Sequence, residues 1–312
     1  MRHDPSTRLA QSAIWLIPLL WSVNYFVARR APGVIEPYTL ACIRWGLAGL
    51  LLSLHARAEL LREWRNILRV GHQYLLLGFL GMVVCGAWVY VGAKTTGAVN
   101  IALIYSASPV LIALGSVLWL HERMRGSQAL GVVVALSGVL HVIVKGEWTA
   151  LGQVQFVIGD LWILAAMISW ALYALLQKMW PSSLGSTARL AAICWGAMPV
   201  LLAGTVWESL QAQTPAMSLQ AWVLGIAAAL APGIMAYWIY GWAQKVLGAS
   251  KVAVTLYLGP LYGALLAWLV LGETLGWHHL VGAALILPGV YLVSRSGPVS
   301  PGEAAAAPTG RA

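Results

Sequence analysis

Apolar residues run along this chain in blocks of about twenty, and the short segments between the blocks hold most of the charge. Ten blocks can be drawn, at 9–28, 38–55, 73–93, 98–120, 127–144, 159–177, 187–207, 219–243, 249–271 and 276–294. A helix needs ~20 residues to cross the hydrocarbon, whereas a barrel strand would be about half as long and would alternate polar with apolar positions. Lipid leaves no backbone group a water to bond, so blocks of this length predict helices. The pattern predicts an all-α membrane protein with ten transmembrane helices.

Part of this pattern occurs twice. Residues 97–138 align without a gap on residues 248–289, at a constant offset of 151. Gly97 matches Gly248, Pro109 matches Pro260, Glu122 matches Glu273, Gly131 matches Gly282 and Gly138 matches Gly289. Gly and Pro constrain the backbone, so their coincidence at one offset points to a tandem duplication. Upstream, Leu40–Gly46 resembles Leu190–Gly196, and Trp21–Arg29 resembles Trp170–Lys178.

Charge sets the orientation. With a cytoplasmic N-terminus, fourteen of the nineteen Lys and Arg residues fall in inner segments and four, Arg29, Arg30, Lys94 and Lys145, in outer ones. Arg44 lies well inside a block, about two turns in. This bias puts both termini in the cytoplasm. Five spans per half is an odd number, so the second half enters from the opposite face, and the expected fold is two inverted five-helix repeats, 1–145 and 146–295. Such repeats suit alternating access, because the halves can exchange conformations.

Composition agrees: 60% of residues are hydrophobic and 9% charged, which places the chain in the lipid bilayer and excludes a soluble enzyme. The net charge of +9 is spread over short loops and is no nucleic-acid footprint. Cys42, Cys85 and Cys194 lie inside apolar blocks without metal-ligand spacing, so neither a disulfide, a metal nor a cofactor is expected. The Pro/Gly/Ala-rich tail at 296–312 reads as disordered. Between blocks two and three, Leu60, Leu61, Trp64, Ile67 and Leu68 fall at helical spacing among arginines, the pattern of a short helix on the inner leaflet.

Two kinds of position carry candidate chemistry. Pro109 and Pro260 sit well inside blocks four and nine, where each removes an amide donor and deprives the carbonyl four residues earlier, Tyr105 or Leu256, of its helical partner. Such carbonyls are satisfied by neighbours or line a wet cavity. With Gly97 and Gly248 they are the expected kink and gating positions. The second kind is aromatic. Trp21, Asn24 and Tyr25 share one helix face; Trp170, Tyr173 and Gln177 share another; Tyr237, Tyr240 and Gln244 a third. Trp88, Tyr90, Tyr105, Trp238 and Tyr257 also lie at mid-depth. Singly, each reads as packing; together they predict a partly hydrated chamber for a flat or amphipathic molecule.

Ionisable groups add little. Glu122, Glu273 and Asp160 stand where a carboxylate complements the start of the following helix. His141 reads as packing, and no embedded carboxylate of a proton or sodium symporter stands at mid-span. Arg44 lies inside block two, to reach the interface, to bond to carbonyls or to meet a substrate carboxylate. The small residues Gly131, Ala135, Gly138, Gly282, Ala283 and Gly289 let helices approach closely and fit either peripheral supports or a dimer face for blocks five and ten, so monomer and homodimer stay open.

The duplicated five-helix halves, the first-helix Trp21 and Trp170, the run Leu40–Trp45, the Gly97-to-Pro109 spacing and Glu122 with Glu273 together resemble the EamA-type drug/metabolite transporter superfamily over residues 9–295. Within it the chain is most similar to bacterial aromatic amino acid exporters. The resemblance implies a central cavity lined by spans one, three, four, six, eight and nine. It also implies inner-membrane export of small molecules, amino acids with aromatic ones preferred. Efflux of flat organic cations such as viologens is the rival within transport. An intramembrane enzyme would need a nucleophile–base pair or clustered metal ligands at depth.

Overall fold

The computed structural model describes residues 5–96, 98–122, 124–155, 157–211, 216–271 and 276–295. They form α1 (Pro5–Ala13), α2 (Leu16–Arg30), α3 (Pro37–His55), α4 (Arg57–Arg62), α5 (Trp64–Arg69), α6 (Gly71–Gly78), α7 (Val89–Ala93), α8 (Ala98–Ser106), α9 (Ser108–Trp119), α10 (Gly126–Ile143), α11 (Ile158–Met179), α12 (Ser186–Ser209), α13 (Leu219–Ala228), α14 (Ala236–Leu247), α15 (Ala249–Ala253), α16 (Gly259–Leu271) and α17 (Trp277–Arg295). Two wide π-helical segments, Phe79–Trp88 and Ala229–Met235, join α6 to α7 and α13 to α14.

Among the described residues, seven stretches are long and apolar enough to cross a membrane: Pro37–His55, Gly71–Ala93, Ile101–Trp119, Gly126–Ile143, Ile158–Met179, Ser186–Ser209 and Leu219–Leu247. Trp277–Val293 is apolar but shorter. The first and ninth expected spans are broken. A turn at Ile14–Trp15 separates α1 from α2, and Pro18 has no amide to give the turn before it. The ninth divides into α15, a 3-10 turn (Val254–Leu258) and α16, which restarts at Gly259-Pro260. Large apolar side chains face outward along these helices, Leu118, Leu202 and Leu280 among them, as lipid contact demands.

Glycine sets how closely the helices approach. α3 runs antiparallel to α12: the Tyr38 and Thr39 amides donate to Glu208 at one end, and Trp195 donates to Ser53 at the other. α10 runs antiparallel to α17, with a Cβ added at Gly131 falling 2.7 Å from the Gly289 carbonyl and one at Gly138 3.0 Å from that of Gly282. The small faces of α10 and α17 are spent on each other. The amphipathic stretch forms α4 and α5, with Leu61, Trp64 and Leu68 exposed.

Candidate functional site

Three of the stripes meet in the middle of the bundle. α2 packs against the second π segment and α16, and α11 against the first π segment and α9. Trp21 from α2 meets Trp170 edge-on at 5.2 Å, Tyr237 at 5.7 Å and Tyr240 at 5.5 Å. Trp170 lies 5.0 Å from Tyr240 and stacks on Tyr173 at 5.5 Å. The edge-to-face geometry sets ring hydrogens against π faces, which adds to simple area burial. The expected hydrated chamber is closed here, since the rings fill the space between them. The reason is steric: α2, α11 and α14 each contribute large rings to one level.

Polar groups border the rings on both sides. On one, the Gln177 side chain donates to Gln244, which in turn donates to the Tyr240 hydroxyl at 3.2 Å and to the Ala174 carbonyl. A cleft of about 10 Å³, room for one water, opens beside them between Gln177, Ser186, Arg189, Tyr237 and Lys245. On the other side, Asn24 accepts from the Tyr90 hydroxyl at 2.7 Å and from Arg44 at 3.3 Å. Arg44 also donates to the Pro232 carbonyl inside the second π segment, at 3.1 Å, and stacks over Trp45. Thus Arg44 bonds to a carbonyl and does not reach the interface.

Other expected residues stand apart. Trp88 donates to Tyr38 and packs on Trp162. Trp238 is 38% exposed and donates to Thr187. Tyr257 is buried among α10 and α17 residues, and Tyr105 lies half-buried in α8. The side chain of Tyr25 lies outside the described residues, as do Gly97 and Glu273. Sequence reasoning missed Trp45, whose ring lies 4.8 Å from Tyr237. Its place next to Arg44 was the available signal.

The prolines do less than expected. Pro109 occupies the first turn of α9 and Pro260 that of α16, where a missing amide costs no helical bond. The Leu256 carbonyl is not freed, because the Gly259 amide donates to it across the 3-10 turn. Glu122 is a further correction. It does not cap the helix that follows, whose first turn is closed by Gln128. Three residues of chain separate Glu122 from α10, and it stands instead against α15, where it accepts from the Ala249 and Ser250 amides and the Ser250 hydroxyl. Asp160 does close its own helix, accepting from the Val157 amide, and it also accepts from Thr96. His141 packs between Trp148 and Trp277.

Long apolar helices, lipid-facing leucines and an aromatic centre bordered by polar groups define a multi-pass membrane protein with its chemistry inside the bundle. The chain belongs to the EamA-like transporter family, whose model matches residues 9–144 and 157–295. It is similar to the uncharacterised transporter YyaM of Bacillus subtilis, 26% identical over 87% of this chain and 88% of the relative. A WAT1-related protein of Arabidopsis thaliana is 26% identical over 90% of this chain and 82% of its own length. A solved crystal structure has the same fold, with a TM-score of 0.73 at 17% identity, over 91% of this chain and 96% of that one. The chain is a transporter and not an enzyme.

Proposed function

We propose that this chain exports amino acids, aromatic ones by preference, across the bacterial inner membrane by alternating access. Ten crossing helices would form two inverted halves, 1–145 and 146–295, with both termini cytoplasmic. The observation that carries the reading is the antiparallel packing of corresponding helices, α3 with α12 beside the aromatic centre and α10 with α17 outside it. Two π segments 150 residues apart, beginning at Phe79 and Ala229, support the same relation. In a parallel duplication the corresponding helices would run the same way.

Access from either face requires Trp21 to part from Trp170 and Tyr237, and the space so made has ring faces for an aromatic side chain. Asn24, the Tyr90 and Tyr240 hydroxyls and the two glutamines then stand ready for the zwitterion. The viologen reading lacks support at this level, because the charged side chain bordering the rings beside Asn24 is the cation Arg44. Counterflow in proteoliposomes separates the two. Labelled tryptophan is expected to accumulate against an internal tryptophan load, and methyl viologen to leave that exchange unchanged. Failure of tryptophan to exchange, with viologen exchanging, would overturn the reading.

A further inference from the structure

Arg44 and Arg189 are the buried arginines among the described residues, and the one bonded to Asn24 and stacked on Trp45 is Arg44. It lies within the α3 membrane span and is 3% exposed, yet no carboxylate among the described residues bonds to it. A guanidinium offers five N–H donors. Arg44 uses them for one side-chain amide, at 3.3 Å, and one backbone carbonyl, at 3.1 Å. Its Nε is buried with no acceptor. Charges inside a membrane protein pair with one another or with backbone carbonyls, line a path or meet a ligand; Arg44 has the Pro232 carbonyl but, among the described residues, no acid.

The Nε edge is enclosed by the bundle, with no acceptor in reach. Gly233 lies beside it in the π segment: a Cβ there would come within 3.7 Å of Arg44 Cγ and Nε. The π winding turns the Pro232 carbonyl toward the guanidinium and holds it in place. Trp45 lies under the guanidinium at 4.5 Å and touches Tyr237 at 4.8 Å, so the cation and the central rings share one wall. Asn24, bonded to Arg44, is one helical turn from Trp21, about 5 Å along the axis. That is the reach between the ring and the carboxylate of an aromatic amino acid.

We infer that Arg44 is the anchor for a carboxylate on the transported molecule, with its Nε edge as the binding edge and Asn24 and Tyr90 as its positioning groups. This rests on the transport reading above and deepens it: the substrate class becomes aromatic carboxylates, and amines that lack the carboxylate are disfavoured. The carboxylate would supply the buried charge with its missing counterion, through short charge-assisted bonds.

The test uses the wild-type protein in proteoliposomes performing tryptophan counterflow, with two unlabelled competitors. Indole-3-propionate keeps the carboxylate without the amine; tryptamine keeps the amine without the carboxylate. Indole-3-propionate is expected to compete, and tryptamine to be weaker by about ten- to a hundredfold, the fold-change carried by one hydrogen bond to a charged group. R44Q should raise the KM for tryptophan by a similar factor without changing competition by tryptamine, and R44K should recover part of the loss. A purely structural role would move both competitors together. Equal competition by the two in wild type, or an unchanged KM in R44Q, overturns the inference and leaves amino acid export standing. If R44Q does not fold, the wild-type competition decides alone. Absence of any tryptophan exchange in wild type brings down the export reading and this inference with it.

Discussion

Replacing Glu122 by alanine is expected to loosen the junction between α9 and α15 and to shift the protein toward states open on that side. The Glu122 carboxylate accepts from the Ala249 amide at 3.1 Å, the Ser250 amide at 3.4 Å and the Ser250 hydroxyl at 3.0 Å. These bonds join positions 127 residues apart in the chain, and they satisfy amides at a helix start. Gly248 makes the approach feasible: its φ is +91°, and a Cβ there would come 3.0 Å from Glu122 Oε1. Hydrogen bonds to a charged group contribute about 1.5–3 kcal/mol. A net loss of about 2 kcal/mol would raise the open population roughly thirtyfold. The readout is thiol labelling of V252C, a buried position on α15, in a protein lacking Cys42, Cys85 and Cys194. G248A should act in the same direction, because that backbone region is one that a side chain enters only at a cost of about 1–3 kcal/mol. Equal labelling rates with and without Glu122 would show that this contact does not control opening.

The second large effect concerns stability. The substitution Gly289→Ala places a methyl 2.6 Å from the Gly131 carbonyl and 2.7 Å from the Ala135 amide. Backbone cannot move aside as the end of a flexible side chain can, so α10 and α17 must separate. Overpacking of this kind costs about 1–3 kcal/mol, read as a lower melting temperature of the detergent-solubilised protein. The same change at Gly71, whose added Cβ meets nothing within 4 Å, should stabilise by about 0.5 kcal/mol through a less flexible unfolded chain. Opposite signs for one chemical change are the expected signature of helix contact. Like signs would mean that α10 and α17 do not pack this closely.

Much of this architecture could be read along the chain. Helical spacing put Trp170, Tyr173 and Gln177 on one face and Tyr237, Tyr240 and Gln244 on another, and the two faces do meet, through the ring contacts of Trp170 with Tyr240 and the bond between the glutamines. Periodicity reports which side of a helix is polar or aromatic. It does not report depth or neighbour, which is why Trp238 and Tyr257 looked equivalent to Tyr237 and are not. Glu122 was misread for the same reason. A carboxylate near a helix start suits the local dipole, but its acceptor geometry is met by a helix that the chain reaches only much later.

What the sequence determined on its own is the material of the fold. The apolar blocks require helices in a bilayer because lipid offers the backbone no partner, and the matched Gly, Pro and Glu positions mark a repeated unit. What only the tertiary structure decided is which polar atoms meet across helices: Arg44 with the Pro232 carbonyl, Glu122 with α15, Asn24 with Tyr90. Hydrogen bonds act over about 3 Å, so partners that far apart in the chain are selected by helix packing, and no local pattern encodes them.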